Sequence, residues 1–334
     1  MTEWLILFLF PFCLSLVLSR TVIHFLGGRL LDAPNMRSSH EIPTPRGGGI
    51  AILVSTLITA VSAVALGYLD ERIFLWLIIP ISLISLLGIC DDFFNLSVRL
   101  RLIAQLLTAT FAVFFLITED SWKYSVIQEC TLVVVMILFA TWMTNLYNFM
   151  DGINGLAALE AISVCAGMIV IYSMHSADEN ITYTLLIIIA CTCGFLFWNF
   201  PTAKLFMGDS GSLFLGLTFG LLSIAPANEN YNLTIAWLIM LGAFIVDASY
   251  TLFYRILTKQ AFSEAHRSHT YQKCSRIYKS HTRITLIVVS INMLWLFPLA
   301  AATSVNFVHP MIGILVAYTP LIFIAKKYNA GRPD

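Results

Sequence analysis

Four carboxylates, Asp91, Asp92, Asp151 and Asp209, stand at the ends of long apolar runs, flanked by amides, glycines and arginines. In ICDDFFNLSVRLRLIAQ (89–105), Asp91 and Asp92 precede Arg99 and Arg101. Adjacent helical residues point about 100° apart, so the pair serves one pocket only where a helix ends. Two close carboxylates then suit a divalent cation or a proton transfer; the bland reading is a solvated helix end. In NLYNFMDGINGLAALE (145–160), Asn145, Asn148, Asp151 and Asn154 recur every three residues across a break at Gly152 and Gly155. Such a polar row at a membrane helix end is costly unless it binds something. Amides, a carboxylate and glycine-freed backbone donors suit a nucleobase, a sugar, a phosphate or a metal. In FWNFPTAKLFMGDSGSLFLG (197–216), Asp209 lies between Gly208 and Gly211 and reads as a helix N-cap or as a metal ligand near phosphate.

Cationic groups stand in two further segments. LDAPNMRSSHEIPTPRGGGI (31–50) carries Arg37, His40 and Arg46, and its Gly47-Gly48-Gly49 allows close backbone approach to a ligand or a neighbouring helix. RILTKQAFSEAHRSHTYQKCSRIYKSHTR (255–283) carries His266 and His269, which would share one helical face around Arg267. With no H-E-x-x-H and no third ligand at useful spacing, phosphate contact fits better than zinc. Asp247 and Glu160 fall inside apolar segments and read either as functional groups or as interhelical hydrogen-bond partners.

The elements that must hold these residues are membrane helices. Of 334 residues, 58% are hydrophobic and 11% charged, against roughly 25% charged in a soluble domain. That excludes an ordinary soluble domain, a disordered chain and a disulfide scaffold, and nothing supplies the basic face of a nucleic-acid binder. The seven cysteines are scattered and show no redox or zinc spacing. At about 20 apolar residues per span, eleven spans are expected, near 3–26, 48–69, 73–90, 102–118, 130–147, 153–174, 182–199, 210–226, 233–254, 284–304 and 307–325, or ten if one is interfacial. They form an all-α polytopic membrane protein, a single integral-membrane catalytic domain over 1–334. Its loops on one side are 27–47, 91–101, 148–152, 200–209 and 255–283. With Arg20 and the tail, that side holds 17 of the 19 basic residues, so it is expected to be cytoplasmic, with the N-terminus outside and the C-terminus inside.

The five loops together resemble the polyprenyl-phosphate N-acetylhexosamine-1-phosphate transferases of glycosyltransferase family 4. The matches are PTPRGGG (43–49), DDFFNLSVRLRLIAQ (91–105), NFMDGINGLA (148–157), FMGDSGSLFLG (206–216), VDASYTLFYR (246–255) and HRSH (266–269). The resemblance implies a cytoplasmic-face active site in the bacterial inner membrane. There HexNAc 1-phosphate would pass from a UDP-N-acetylhexosamine to undecaprenyl phosphate, releasing UMP, with Mg²⁺ as cofactor and Mn²⁺ as a substitute. It implies Asp209, with Asn148, as the metal site, and Asp91 and Asp92 as the catalytic pair that orients or deprotonates the lipid phosphate. Asp151 and Asn154 fall in the nucleotide and uracil region. Asn199, Phe206, Arg46, His266, Arg267 and His269 are the other substrate-binding residues, the histidine motif facing pyrophosphate. Asp247 is a further candidate.

Two departures shape the expectation. Many bacterial members carry Asp where Asn154 stands, and eukaryotic members often carry Asn. HRSHTYQ replaces a His-rich HxHH form and resembles enzymes that initiate O-antigen or capsule chains, placing the chain in lipopolysaccharide or other surface-polysaccharide synthesis rather than with the phospho-MurNAc-pentapeptide transferases. The bilayer and the two substrates are the expected partners, with a homodimer left open. The rival from another class is a transporter, which would place its acids near the midplane and repeat its halves; here the acids gather at helix ends on one side. A non-catalytic scaffold for glycan assembly is weaker, because every motif acid is present.

Overall fold

The structure, a computed structural model, describes residues 3, 5–28, 30–32, 42–117, 126–175, 179–228, 230–260 and 266–333. Arg37 and His40 lie outside the described residues. Ten described helices are long and apolar enough to cross a membrane, or eleven spans if one bent pair counts as a single crossing. In chain order, the first five are α1 (Leu5–Leu26), α2 (Gly48–Ala65), α3 (Phe74–Phe94), α4 (Val98–Ile117) and α5 (Ile127–Met150). Three more follow, α6 (Leu156–Met174), α7 (Glu179–Asn199) and α8 (Asp209–Ala227), and then the bent pair α9 (Tyr231–Met240) and α10 (Gly242–Leu257). A short helix α11 (Thr270–Tyr278) precedes the last two spans, α12 (His281–Ser304) and α13 (Pro310–Lys327).

Two expectations need correcting. The 91–101 loop shrinks to a turn, because α3 continues to Phe94 and α4 starts at Val98; Asp91 and Asp92 are therefore helical residues. Asn148 is likewise inside α5. The fold is all-α as expected, apart from one short pairing in which β1 (Leu31–Asp32) runs antiparallel to β2 (Thr44–Pro45), in the register Leu31↔Pro45. The expected span 233–254 is broken, its halves diverging by 70°. The cause is Tyr318, whose Oη donates to the Leu238 carbonyl at 2.7 Å. That carbonyl is the one the Gly242 N–H would use in a continuous helix.

Three π-helical turns, Leu5–Leu9, Phe74–Ile78 and Asn292–Leu296, each end two residues before a proline: Pro11, Pro80 and Pro298. A proline ring crowds the carbonyl four residues back and offers no N–H, so the turn widens.

The centre is α8, packed against α5, α3 and α2. Ser212, Gly216 and Gly220 recur every four residues along it, and a Cβ on Gly216 would lie 2.7 Å from the Met143 carbonyl. Small residues let helix backbones meet where lipid supplies no hydrophobic drive. At its start, a Cβ on Gly49 of α2 would run into Gly211, and one on Gly88 of α3 would lie 2.5 Å from Ser210 N. The three-glycine run therefore serves helix contact: Gly48 N donates to Phe206 O at 2.9 Å and Gly49 N to Met207 O at 2.8 Å.

Candidate active site

Consecutive spans alternate in direction, so the turns after α1, α3, α5 and α7 and the long segment before α12 meet at one end of the bundle. They enclose a polar cavity of about 220 Å³ lined by Arg46, Asp92, Asn148, Asp151, Asn154, Asn199, Phe206, Gly208 and Asp209, with Asp32, Gln272 and His281. A larger opening of about 780 Å³ continues past Asn154, Phe206 and His281 toward Arg276 and Lys279.

Asp209 is the first residue of α8, after Gly208 at φ +75°. Its Oδ1 accepts from Asn148 Nδ2 at 3.0 Å, and its Oδ2 lies 3.4 Å from Arg101 Nη1. Asn148 Nδ2 also donates to Ser212 Oγ at 2.9 Å. Among the described residues nothing donates to Asn148 Oδ1, which leaves an oxygen ligand beside Asp209.

The expected divergence of the aspartate pair is realised. Asp91 Oδ2 meets Arg101 at 2.6 Å, and its Oδ1 accepts the Leu96 N–H at 2.7 Å. Asp92 points instead to the start of α8, accepting the N–H groups of Asp209 and Ser210 at 3.3 and 3.4 Å. Arg46 bonds the Asp92 carbonyl at 3.0 Å, and its Nε lies 3.7 Å from the Asp92 carboxylate. Asp91 and Asp209 thus share one cation, Arg101.

No group of three or more His, Cys, Asp or Glu side chains suited to a metal occurs among the described residues. A dedicated protein cage is not what Mg²⁺ requires. One or two carboxylates plus waters and substrate phosphates are its usual set, and Asp209, the Asn148 oxygen and the crowded acids fit that description.

Asp151 lies just past α5, half-buried. Loss of hydration, then repulsion from Asp92, raises its carboxyl to about 7. Asn154 Nδ2 donates to Pro201 O at 3.1 Å, and its carbonyl accepts from Thr285 at 2.9 Å. Asn199 is buried, accepting the Gly155 N–H and donating to Leu205 O, both at 2.8 Å. It therefore holds the two loops together at the cavity wall.

The histidine motif is placed differently from expectation. Residues 266–268 are not helical, so the two rings share no helix face; they stack, with centroids 5.0 Å apart. His269 is the buried N-cap of α11, with Nδ1 3.6 Å from Asp247 Oδ1. Asp247 accepts the N–H groups of Thr270 and Tyr271 at 2.8 and 3.0 Å. It is an anchor for α11, and its intramembrane position is explained by that capping. Tyr271 Oη then reaches Phe149 O at 2.9 Å, which sets α11 beside the Asp151 turn. His266, Arg267 and His269 do not line the polar cavity; Gln272 of α11 does. Burial, then the neighbouring His269 and Arg255 side chains, pushes His266 down to about 3.

The sequence reading missed Arg101 as the bridge between two acids, although it stood in the quoted motif. Gln272, His281 and Asp32 carried no signal, since each reaches the cavity only through packing between distant segments. Glu160, the second intramembrane acid, accepts from Asn292 Nδ2 at 2.6 Å, which in turn reaches Ser163 at 2.9 Å, away from the polar cavity.

The described residues form a polytopic helix bundle with an acid-rich cavity at one end. Comparison with known proteins gives the family. The Glycosyl transferase family 4 profile matches residues 74–227. The chain is 30% identical over 273 residues to a probable undecaprenyl-phosphate N-acetylglucosaminyl 1-phosphate transferase of Bacillus subtilis, covering 79% of this chain and 75% of that one. It is 28% identical over 262 residues, 78% of each chain, to an undecaprenyl-phosphate alpha-N-acetylglucosaminyl 1-phosphate transferase of Thermotoga maritima. A phospho-N-acetylmuramoyl-pentapeptide-transferase of Wolbachia pipientis matches at 32% over 204 residues, 55% of this chain and 61% of that one. The chain belongs to the polyprenyl-phosphate N-acetylhexosamine-1-phosphate transferase family.

Proposed function

We propose that the protein transfers N-acetylhexosamine 1-phosphate from a UDP-sugar, UDP-GlcNAc or a related donor such as the FucNAc or QuiNAc nucleotide, to undecaprenyl phosphate. The products are undecaprenyl-diphospho-sugar and UMP, and the step opens synthesis of O-antigen or another surface polysaccharide. A lipid phosphate oxygen attacks the sugar-linked phosphorus in line, and the bond from that phosphorus to the oxygen leaving with UMP breaks. The observation that carries the reading is Asp209, fixed between Asn148 and Arg101 at the mouth of a polar cavity on a membrane bundle.

The reaction gathers several negative charges, and the site's cations oppose their repulsion. Arg101 offsets Asp91 and Asp209, and Arg46 offsets Asp92. Mg²⁺, or Mn²⁺ in its place, held by Asp209 and Asn148, would neutralise charge on the phosphates. Asp91 and Asp92 set the lipid phosphate against the donor. Asp151, Asn154 and Phe206 take the nucleoside. His266 and Arg267 stand outside the polar cavity at the approach to α11, where the pyrophosphate of an entering donor would pass them, and His269 keeps α11 in place. The 17-to-2 division of basic residues supports a site on the cytoplasmic face of the inner membrane.

The test is UMP release by purified protein in lipid vesicles containing undecaprenyl phosphate and Mg²⁺, across UDP-HexNAc donors and UDP-MurNAc-pentapeptide. Release with a UDP-HexNAc is expected. Turnover of the pentapeptide donor alone, or of none by folded protein, would overturn the assignment.

A further inference from the structure

A second cavity, of about 310 Å³, lies between α10, α11, α12 and α13 and shares no lining residue with the polar one. Its wall is apolar. Ile284, Ile287, Val288 and Ile291 form an i, i+3, i+4, i+7 stripe on α12, faced by Phe244 and Leu321. Its mouth is different in kind. Arg283 and Lys327 line it together with Tyr278 and Tyr328, whose hydroxyls meet at 2.8 Å. Arg283 lies 5.0 Å from the Tyr278 ring centre and Lys327 5.7 Å from that of Tyr328. Both cations are exposed, and among the described residues neither pairs with a carboxylate. The one acid in the lining, Asp247, is taken up by α11.

From Arg283 to Ile291 is eight residues, roughly 12 Å along a helix. The cavity thus runs from a doubly cationic mouth at the end of the spans into the apolar zone of the bundle. That is the layout of a phospholipid, with an anionic headgroup at the interface and a chain below it.

We propose that this cavity binds an anionic phospholipid of the surrounding bilayer, distinct from the polyprenyl acceptor, with its phosphate on Arg283 and Lys327 and one acyl chain along α12. Thr270 and Tyr271 of α11 line the same cavity. Met150, next to Asp151, lines it too, so a bound chain braces α11 against the Asp151 turn and makes the site's order depend on the bilayer's anionic lipid.

The experiment uses the full chain in phosphatidylcholine nanodiscs, with spin-labelled phosphatidylglycerol or spin-labelled phosphatidylcholine as probes. The wild type should hold the glycerol lipid roughly tenfold more tightly, and its melting midpoint should rise with phosphatidylglycerol content. The R283Q/K327Q variant should lose both effects. Val288→Phe, which fills the cavity and keeps both cations, should also lose them, and it decides the matter if the double variant does not fold. Three results would overturn the proposal: equal retention of the two probes, unchanged selectivity in both variants, or one-for-one displacement of phosphatidylglycerol by undecaprenyl phosphate. These readouts do not depend on turnover, so they stand or fall apart from the proposed reaction.

Discussion

The Asp92 carboxylate accepts the backbone N–H of Asp209 at 3.3 Å, so one acid of the site fixes the helix end from which another projects. The two should therefore fail in different ways. Asp209→Asn should cut turnover by roughly 10²–10³-fold with an unchanged melting midpoint. Asp92→Ala should also remove a cap worth about 0.5–2 kcal/mol, seen as a lower midpoint by thermal unfolding in detergent. Equal midpoints for the two variants would refute the capping role.

Arg101 stands 2.6 Å from Asp91 and 3.4 Å from Asp209, so the effects of changing it and Asp91 should not add. In a double-mutant cycle of Asp91→Asn and Arg101→Gln, the rate constants should give a coupling of about 0.5–3 kcal/mol. Additive losses would mean that the contact does not matter to turnover.

The stacked histidines should separate by readout. His269→Ala loosens the contact to Asp247 and should speed hydrogen exchange across Thr270–Tyr278. His266→Ala should leave exchange there unchanged and raise KM for the nucleotide donor. A raised KM with normal exchange in both variants would give His269 a direct substrate contact instead.

Asp151 supplies a pH test in nucleotide-free protein. Its native carboxyl keeps its proton to about 7, whereas an unfolded Asp releases it near 4. Between those values the native state holds the extra proton, so this group's contribution is intact below about pH 4 and is lost as pH rises through 7. From pH 5 to 8 the melting midpoint should fall more steeply in the wild type than in Asp151→Asn. Parallel slopes would show that Asp151 titrates as an exposed acid.

What could be read from the chain alone follows the range of the interactions involved. The spans were legible because a bilayer demands a continuous apolar length, which composition displays directly. The Asp91/Asp92 divergence was legible from helical geometry within one turn. Contacts between distant segments were not. The break at Gly242 depends on Tyr318, and the role of Asp247 depends on the N-terminus of α11. Gly49 announced a close approach without naming Gly211 as its partner. The histidine spacing misled because it presumed a helix, whereas the helix starts one residue after the second histidine.

The burial of α8 bears on how the chain enters a membrane. In its apolar window 89% of residues are buried by protein, and it begins with a carboxylate and three small polar or glycine residues. Such a segment gains little by moving alone from a translocation channel into lipid. Its main neighbours, α2, α3 and α5, are all made before it. The order of synthesis thus supplies the cavity that α8 fills, and a chain rearranged to place α8 first would have to insert its most buried span without its partners.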